Sequence, residues 1–517
     1  MTEKCALFQY AVGKGQRLML RKLCVGYVGC EALFWVWSSS QRKKLGQPLP
    51  PYCDSASGRP FLHAERRRAV DDLLTTEFEI EDGVATAPKR GQQWLSGWFF
   101  GTPFDAIARS RARDFLAWAW FNKTTADELA SEELEEVEAD LTRLEHLSAC
   151  KLAAESCGSS AQHARDDAAR ERSGALDCMR PNIDDTALFD AHRPLCVYAL
   201  TDFAMRCRSY YVMRSLGFER RSVGGMAYWA RARALESATR ATIPEHDEKS
   251  RAPIVLFHGI GLGWCLYSTF LRELVEANDA AAETSTSGGA PTPLLLVETP
   301  SVALTLPFSS SPKPIDAVRD VEEMLRKEGL DGNTVALWGH SYGTLSVGWL
   351  LKKRPELVHS CTLVDPVNVG VQRATLCRSF LYEPRARSKM QRFKRWLLHS
   401  DPRLVATLTR RFFWFENVLW LSDDELNGGG DNAARRGGSV ALFIAKRDRY
   451  IDGEVVYADA VKAQTRRRRS RSKTGGTAGR ELSTTLWGDL NHGGWMNAAP
   501  TRREVILSTL ASAERER

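Results

Sequence analysis

The residues best suited to chemistry form a short run, Gly339-His340-Ser341-Tyr342-Gly343, set between an apolar stretch and a helical one. A serine hydroxyl is a weak nucleophile until its position and a neighbouring base activate it. Residues 335–338 are apolar and strand-like, and residues 344–353 predict a helix that ends before Pro355. Glycines on both sides let a sharp strand-to-helix turn close without side-chain clashes. Such a turn exposes Oγ and sets it at a helix N-terminus, where backbone N–H groups favour developing negative charge. The chemistry this implies is attack on an acyl carbonyl, with Ser341 as nucleophile.

That nucleophile needs a base, and the base needs an acid to orient it. His492 lies in Asp489-Leu490-Asn491-His492-Gly493-Gly494, directly after the last apolar stretch, 484–487. Of the ten histidines it alone combines that position with glycine-flanked exposure. His340 is read as turned away from the site, and His258 as holding its own loop by hydrogen bonding. Asp448, in Ala445-Lys446-Arg447-Asp448, follows the apolar stretch 440–444 and is the favoured acid. Asp365, after 361–364, is its competitor, although Pro366 suggests that it merely closes a turn. Asp452 reads as the cap of the next helix. A glycine-rich loop, His258-Gly259-Ile260-Gly261-Leu262-Gly263, follows the stretch 254–257. It can aim backbone donors at a reacting carbonyl, so the oxyanion hole is assigned to the N–H groups of Ile260 and Tyr342. No Lys–Ser/Thr pair follows these glycines, which argues against a phosphate loop. No metal or organic cofactor is implied.

The elements that must position these groups begin near Pro253. Apolar runs at 254–257, 294–297, 335–338, 361–364, 440–444 and 484–487 alternate with helical segments. Strands buried on both faces have this pattern, and the alternation predicts right-handed crossovers in a mostly parallel sheet flanked by helices. The low-complexity stretches 279–293 and 466–480 read as surface loop insertions. Residues 367–427 predict a helical cap inserted over the strand C-termini, rich in aromatics from Phe412 to Trp420. Those aromatics either wall an apolar acyl pocket or pack the cap onto its domain; the sequence leaves both readings open. The expected domain is thus 250–510, with its cap at about 367–427.

Residues 1–240 read as a helical N-terminal region. Trp94 with Trp98, and Phe115 with Trp118, fall on single helical faces, a pattern expected of core rather than of a ligand site. Residues 155–173 lack large apolar side chains and read as a disordered loop. Residues 23–37 are apolar for about fifteen positions, where a spanning helix wants about twenty. Glu31 lies near the middle, and basic residues flank both ends. A helix packed on the protein, a helix lying at a membrane surface and a true span all stay open.

Across the 517 residues, 71 basic and 64 acidic side chains leave a net charge of +7. Much of the excess sits in one run, 466–473, and no zinc-finger, homeodomain or RNA-recognition pattern accompanies it, which excludes a nucleic-acid function. The twelve cysteines contain no CxxC pair, which argues against a zinc site or a disulfide framework and favours a reducing, intracellular setting.

Taken together, HGIGLG, GHSYG, AKRDRYID and DLNHGG resemble the α/β-hydrolase superfamily over about residues 253–500, and the order Ser, Asp, His is that family's order. The remainder resembles hydrolase-like proteins of fungi and other eukaryotes. They are similar in an N-terminal apolar segment near Glu31-Ala32-Leu33-Phe34, a Leu95-Ser96-Gly97-Trp98-Phe99 patch and a cap like the segment from Arg410 to Trp420. The resemblance implies a serine hydrolase acting on a small-molecule acyl substrate such as a hydrophobic or lipid ester. An acyltransferase using the same acyl-enzyme, and a catalytically silent protein at a membrane surface, are the alternatives. The sequence leaves the oligomeric state open.

Overall fold

The computed structural model describes residues 2–46, 63–81, 83–154, 178–181, 193–231, 251–284, 290–305, 311–382, 388–394, 396, 401–410, 412–427, 438–474 and 479–514. At its centre is an eight-stranded sheet. Numbered along the chain, its strands are β1 (Phe218–Val223), β2 (Met226–Arg231), β3 (Ile254–Phe257), β4 (Leu294–Glu298), β5 (Val335–His340), β6 (Val358–Val364), β7 (Ser439–Ala445) and β8 (Glu481–Trp487). The spatial order is β8-β7-β6-β5-β3-β4-β2-β1. From β4 to β8 every pairing is parallel; β2 runs antiparallel to β4, and β1 antiparallel to β2.

The strands β3 to β7 lie at apolar runs because both faces of the sheet are covered there, and the edge strand β8, with Glu481 and Ser483 exposed, lies at the sixth run. Val255, Phe257, Leu295 and Leu337 point into a large core shared with the helices Pro314–Lys327 and Gly343–Lys353. Their neighbours Ile254, Leu256, Leu294, Ala336 and Trp338 point into a second core with the helices Ser268–Glu283 and Ala499–Ala511. Successive strand residues face opposite ways, so a strand needs a continuous apolar run only when both sides are dry. β1 and β2 lie within the region read as helical. β1 is buried only at its ends, Phe218 and Val223, with Glu219 to Ser222 half-buried or exposed between them, and such an edge strand gives no continuous run. The sheet therefore starts before residue 240, earlier than the expected domain start at 250.

Two loop expectations need correction. The helix Gly453–Thr474 carries most of the basic run, because Arg467 turns inward and donates to Asn427 Oδ1 and the Arg480 carbonyl. The helix Ser268–Glu283 likewise continues through Asp279, whose carboxylate meets the Arg231 guanidinium. The expected loop at 155–173 lies outside the described residues.

The N-terminal helices His63–Phe78, Pro88–Trp98, Arg109–Phe121 and Ser131–Ser148 share the first core, where Trp94, Trp98, Phe99, Phe115 and Trp118 interlock edge to face and tilted. They are fastened to the cap and to the helix Gly453–Thr474 by specific bonds. Trp94 Nε1–H donates to the Gln372 carbonyl at 2.9 Å, and Trp414 Nε1–H to the Ala119 carbonyl at 3.0 Å. Glu77 accepts from Gln372 and Arg373, while Arg373 and Arg90 both reach Asp459. Trp414 also packs on Trp120, with ring centroids 5.8 Å apart. Of the two readings of the cap aromatics, Trp414 thus follows the packing one.

Residues 23–37 belong to one helix, Thr2–Gly46. Over that stretch only Phe34 is buried, against Tyr198. Among the described residues no helix is long and apolar enough to cross a membrane.

Candidate active site

β5 delivers Ser341 at its C-terminal end, with φ of +54°. A left-handed backbone costs a non-glycine residue on the order of 1–3 kcal/mol, so the fold must hold it there. The Ser341 N–H donates to the Val364 carbonyl of β6, and the helix Gly343–Lys353 starts two residues on. Close packing explains the glycines. A Cβ at Gly343 would lie 2.2 Å from the Phe257 carbonyl oxygen, and one at Gly259 would lie 2.8 Å from Ser341 Cβ. The nucleophile turn and the glycine-rich loop after β3 therefore touch backbone to backbone.

His492 Nε2 stands 2.7 Å from Ser341 Oγ, and His492 Nδ1 stands 2.5 Å from Asp448 Oδ2. The other oxygen of Asp448 accepts N–H bonds from Tyr450 at 2.8 Å and Ile451 at 3.3 Å. The loops after β7 and β8 are zipped together, since the Lys446 N–H meets the Trp487 carbonyl and the Arg447 N–H the Leu490 carbonyl. Burial pulls the His492 pKa down, but the charge and hydrogen bond of Asp448, with the charge of Asp365, outweigh it and leave the imidazole above its ordinary value. The structure thus brings Ser341, Asp448 and His492 into one hydrogen-bonded line from three loops.

Asp365 is fully buried beneath that line, with φ of +46°. Its Oδ1 accepts from the Ala445 N–H at 3.0 Å and its Oδ2 from the Gly493 N–H at 2.7 Å. It therefore fastens the end of β7 and the residue after His492, and no hydrogen bond joins it to the His492 ring among the described residues. Burial alone would raise its pKa; the His340 and His492 imidazoles and the Gly493 N–H hold it below the usual carboxylate range.

His340 lies closer to the centre than its place on the turn suggested. Its ring sits 5.7 Å from that of His492, and its Nε2 lies 3.7 Å from Asp365 Oδ2. Its Nδ1 meets the Tyr267 hydroxyl at 2.6 Å, and that hydroxyl also accepts the Gly259 N–H at 2.9 Å. Burial keeps the phenol protonated and the imidazole neutral, so the hydroxyl donates and Nδ1 accepts. Two hydrogen-bonded groups, Gly259–Tyr267–His340 and Asp365–Gly493, thus lie under the three residues and face each other across the 3.7 Å between His340 Nε2 and Asp365 Oδ2. Tyr267 was missed because nothing in its local sequence marks it, and Asp365 was weighed only as the competing acid and not as a support. Tyr450, whose ring packs 5.0 Å from the His492 ring, could have been noticed beside Asp448.

His258 holds its loop, with Nδ1 on the Gly259 carbonyl at 2.8 Å and Nε2 accepting the Thr299 N–H at 3.1 Å. In that loop the Gly261 N–H donates to the Val302 carbonyl. Between the two engaged glycines, the Ile260 N–H has no protein acceptor among the described residues, and the same is true of the Tyr342 N–H. The Tyr342 hydroxyl bonds Ser311 Oγ at 2.7 Å, and burial pushes its pKa up to about 12. Asp452 caps the helix after β7 with its backbone carbonyl, which accepts the Val456 N–H. A cavity of about 350 Å³ borders this turn on the far side of Tyr342, walled by Phe257, Val297, Trp349 and Leu350 among others.

Ligand atoms of Asp365, Asp448 and His492 all lie within 4.8 Å of one another, a spacing a metal ion could use. Both carboxylates already accept two or more N–H bonds each, so the set is filled by hydrogen bonds from the protein.

The sequence model of the alpha/beta hydrolase family matches residues 254–503. A search of curated proteins returns no match. Among solved structures the chain is similar to a bacterial membrane phospholipase A, at 13% identity and a TM-score of 0.37, covering 61% of this chain and 94% of that one. It is similar also to naproxen esterase of Bacillus subtilis, at 14% identity and a TM-score of 0.34, covering 60% and 97%. A third is the esterase Pf2001 of Pyrococcus furiosus, at 13% identity and a TM-score of 0.36, covering 58% and 95%. With the match spanning the sheet from β3 and both loops that face the serine turn, residues 254–503 form an alpha/beta hydrolase domain, and the chain is an enzyme.

Proposed function

We propose that the protein is a serine hydrolase that cleaves a small-molecule carboxylic ester through an acyl-enzyme. Ser341 Oγ attacks the acyl carbonyl while His492 Nε2 accepts its proton. Asp448 holds the ring with Nδ1 protonated and stabilises the imidazolium that forms. The N–H groups of Ile260 and Tyr342 receive the oxyanion, charge that appears only as the tetrahedral intermediate forms. The imidazolium then protonates the leaving alkoxide. Water, deprotonated by the same imidazole, attacks the acyl-serine, and its collapse releases the acid and restores Ser341.

The observation that carries this reading is the Ser341 Oγ to His492 Nε2 contact of 2.7 Å, continued by Nδ1 to Asp448. A hydroxyl so placed has its base within proton-transfer reach before any substrate binds. A fluorophosphonate probe tests it, since phosphonylation needs an activated serine and no particular acyl group. Labelling of the wild type and its loss in Ser341→Ala is the expected result; a wild type that resists the probe would overturn the reading.

A further inference from the structure

Two helices carry an apolar surface that the described residues leave uncovered. From Leu23 to Gln41 the first helix holds a single charge, Glu31. Leu23, Val25, Val28, Leu33, Trp35 and Val36 are all exposed. The helix Leu195–Ser215 repeats the pattern in a regular stripe. Cys196, Leu200, Phe203, Cys207 and Tyr210 recur at spacings of three and four residues, which is one face of a helix, and all are exposed. A surface helix normally turns such a stripe toward the core. Here the core side is supplied by other residues, Tyr198 and Met213.

The two surfaces adjoin. The Leu195 N–H, at the N-terminus of the second helix, donates to Glu31 Oε2 at 2.8 Å, and the Tyr27 hydroxyl donates to the same oxygen at 3.0 Å. Phe34 packs on Tyr198 nearby, with ring centroids 5.5 Å apart. The one charge in the apolar stretch is therefore used at a helix N-terminus, where a carboxylate is favoured, and does not interrupt the apolar surface.

We infer that these two helices dock the enzyme on the surface of an anionic phospholipid bilayer. Charge identifies the occupant. The apolar stretch is bracketed by exposed Arg21 and Lys22 at one end and Lys43 and Lys44 at the other, and the second helix adds exposed Arg206, Arg208 and Arg214. Cations at the margins of an apolar face meet lipid phosphates while the face enters the acyl region. Trp35, Trp37, Tyr210 and Tyr211 supply the amphipathic rings that concentrate at such interfaces. Among the described residues no helix is long and apolar enough to cross a membrane, which fits a helix lying in the interface plane.

The test uses the full chain and does not depend on Ser341. Flotation with phosphatidylcholine vesicles, with and without phosphatidylserine, measures partitioning directly. The wild type is expected to float with the phosphatidylserine vesicles and more weakly with the neutral ones. Leu33→Glu/Phe203→Glu/Tyr211→Glu changes side chains that are 75%, 71% and 76% exposed, so folding survives, as an unchanged thermal melt will verify. This variant should bind on the order of 100-fold more weakly. Lys22→Glu/Lys43→Glu/Lys44→Glu should lose on the order of tenfold or more on the anionic vesicles alone. A wild type that floats with neither vesicle overturns the inference, as does an apolar-face variant that floats as well as the wild type. A wild-type dimer that the same variant converts to monomer would overturn it too, because a second copy of the chain would then cover the surface.

Discussion

The two buried aspartates make different demands on the same histidine, and replacing each by asparagine separates them. Asp448 Oδ1 is occupied by two backbone N–H groups, so an asparagine at 448 keeps its carbonyl there and turns its amide nitrogen toward His492 Nδ1. A donor facing Nδ1 selects the tautomer with hydrogen on Nε2, and that nitrogen then points a proton at Ser341 instead of accepting one. The expected loss in kcat is about 10^4-fold, close to 5 kcal/mol of transition-state stabilisation, with the fold unchanged. Asparagine at 365 acts otherwise. Both Asp365 oxygens accept backbone N–H bonds, so an amide leaves one N–H facing another in a fully buried site. That costs on the order of 1–3 kcal/mol of stability. The His492 tautomer survives, since Asp448 still sets it, and kcat should fall by no more than about 100-fold through displacement of the Gly493 segment. Hydrolysis of p-nitrophenyl butyrate alongside thermal melts gives both readouts. If Asp365→Asn abolishes turnover while Asp448→Asn stays within tenfold of the wild type, the acid is Asp365 and the reasoning fails.

Two further outcomes follow from charge. His492 must be neutral to accept the Ser341 proton, and its neighbours hold its pKa above the ordinary value of about 6.5. The kcat/KM profile should therefore rise with pH through a value above 6.5, and Asp365→Asn should move that limb to lower pH by removing one favourable charge; a limb unmoved by the variant would contradict the assigned electrostatics. Glu77, buried with Arg90 and Arg373, shares their charge with Asp459 and, through Arg90, with Glu79. Glu77→Gln removes the carboxylate that faces both guanidinium groups and should cost about 3 kcal/mol, read as a lower urea-unfolding midpoint; an unchanged midpoint would mean the network contributes little.

What the sequence disclosed follows a physical boundary. Strands dry on both faces need unbroken apolar runs, so β3 to β7 stood out. β1 did not, because an edge strand can carry Glu219, Arg220 and Arg221 between its buried ends. Local chemistry was readable in the same way. A serine between close-packed glycines and a histidine before two glycines are constrained by their immediate neighbours, and the structure brings them to 2.7 Å. The basic run misled for the converse reason: one side chain, Arg467, turns inward to contacts some forty residues away along the chain.

The layer under the three residues was legible only in part. Tyr267 is ordinary in sequence and Asp365 stood out only as a possible acid; their place comes from β3, β5, β6, β7 and β8 ending side by side. Their function is to fix distances between loops that are remote in the chain, so their signal lies in pairs such as Gly259 with Tyr267 and Asp365 with Gly493. The same logic ranks the two aspartates. An acid is recognised by which imidazole nitrogen it holds, and the sequence offered two carboxylates at equivalent strand ends. Only the register of β6 against β7 and the turn at Gly493 set Asp365 on backbone N–H groups and leave the His492 Nδ1 to Asp448. The members of the candidate site are thus legible in short motifs, whereas the division of labour among like residues is a property of the assembled sheet.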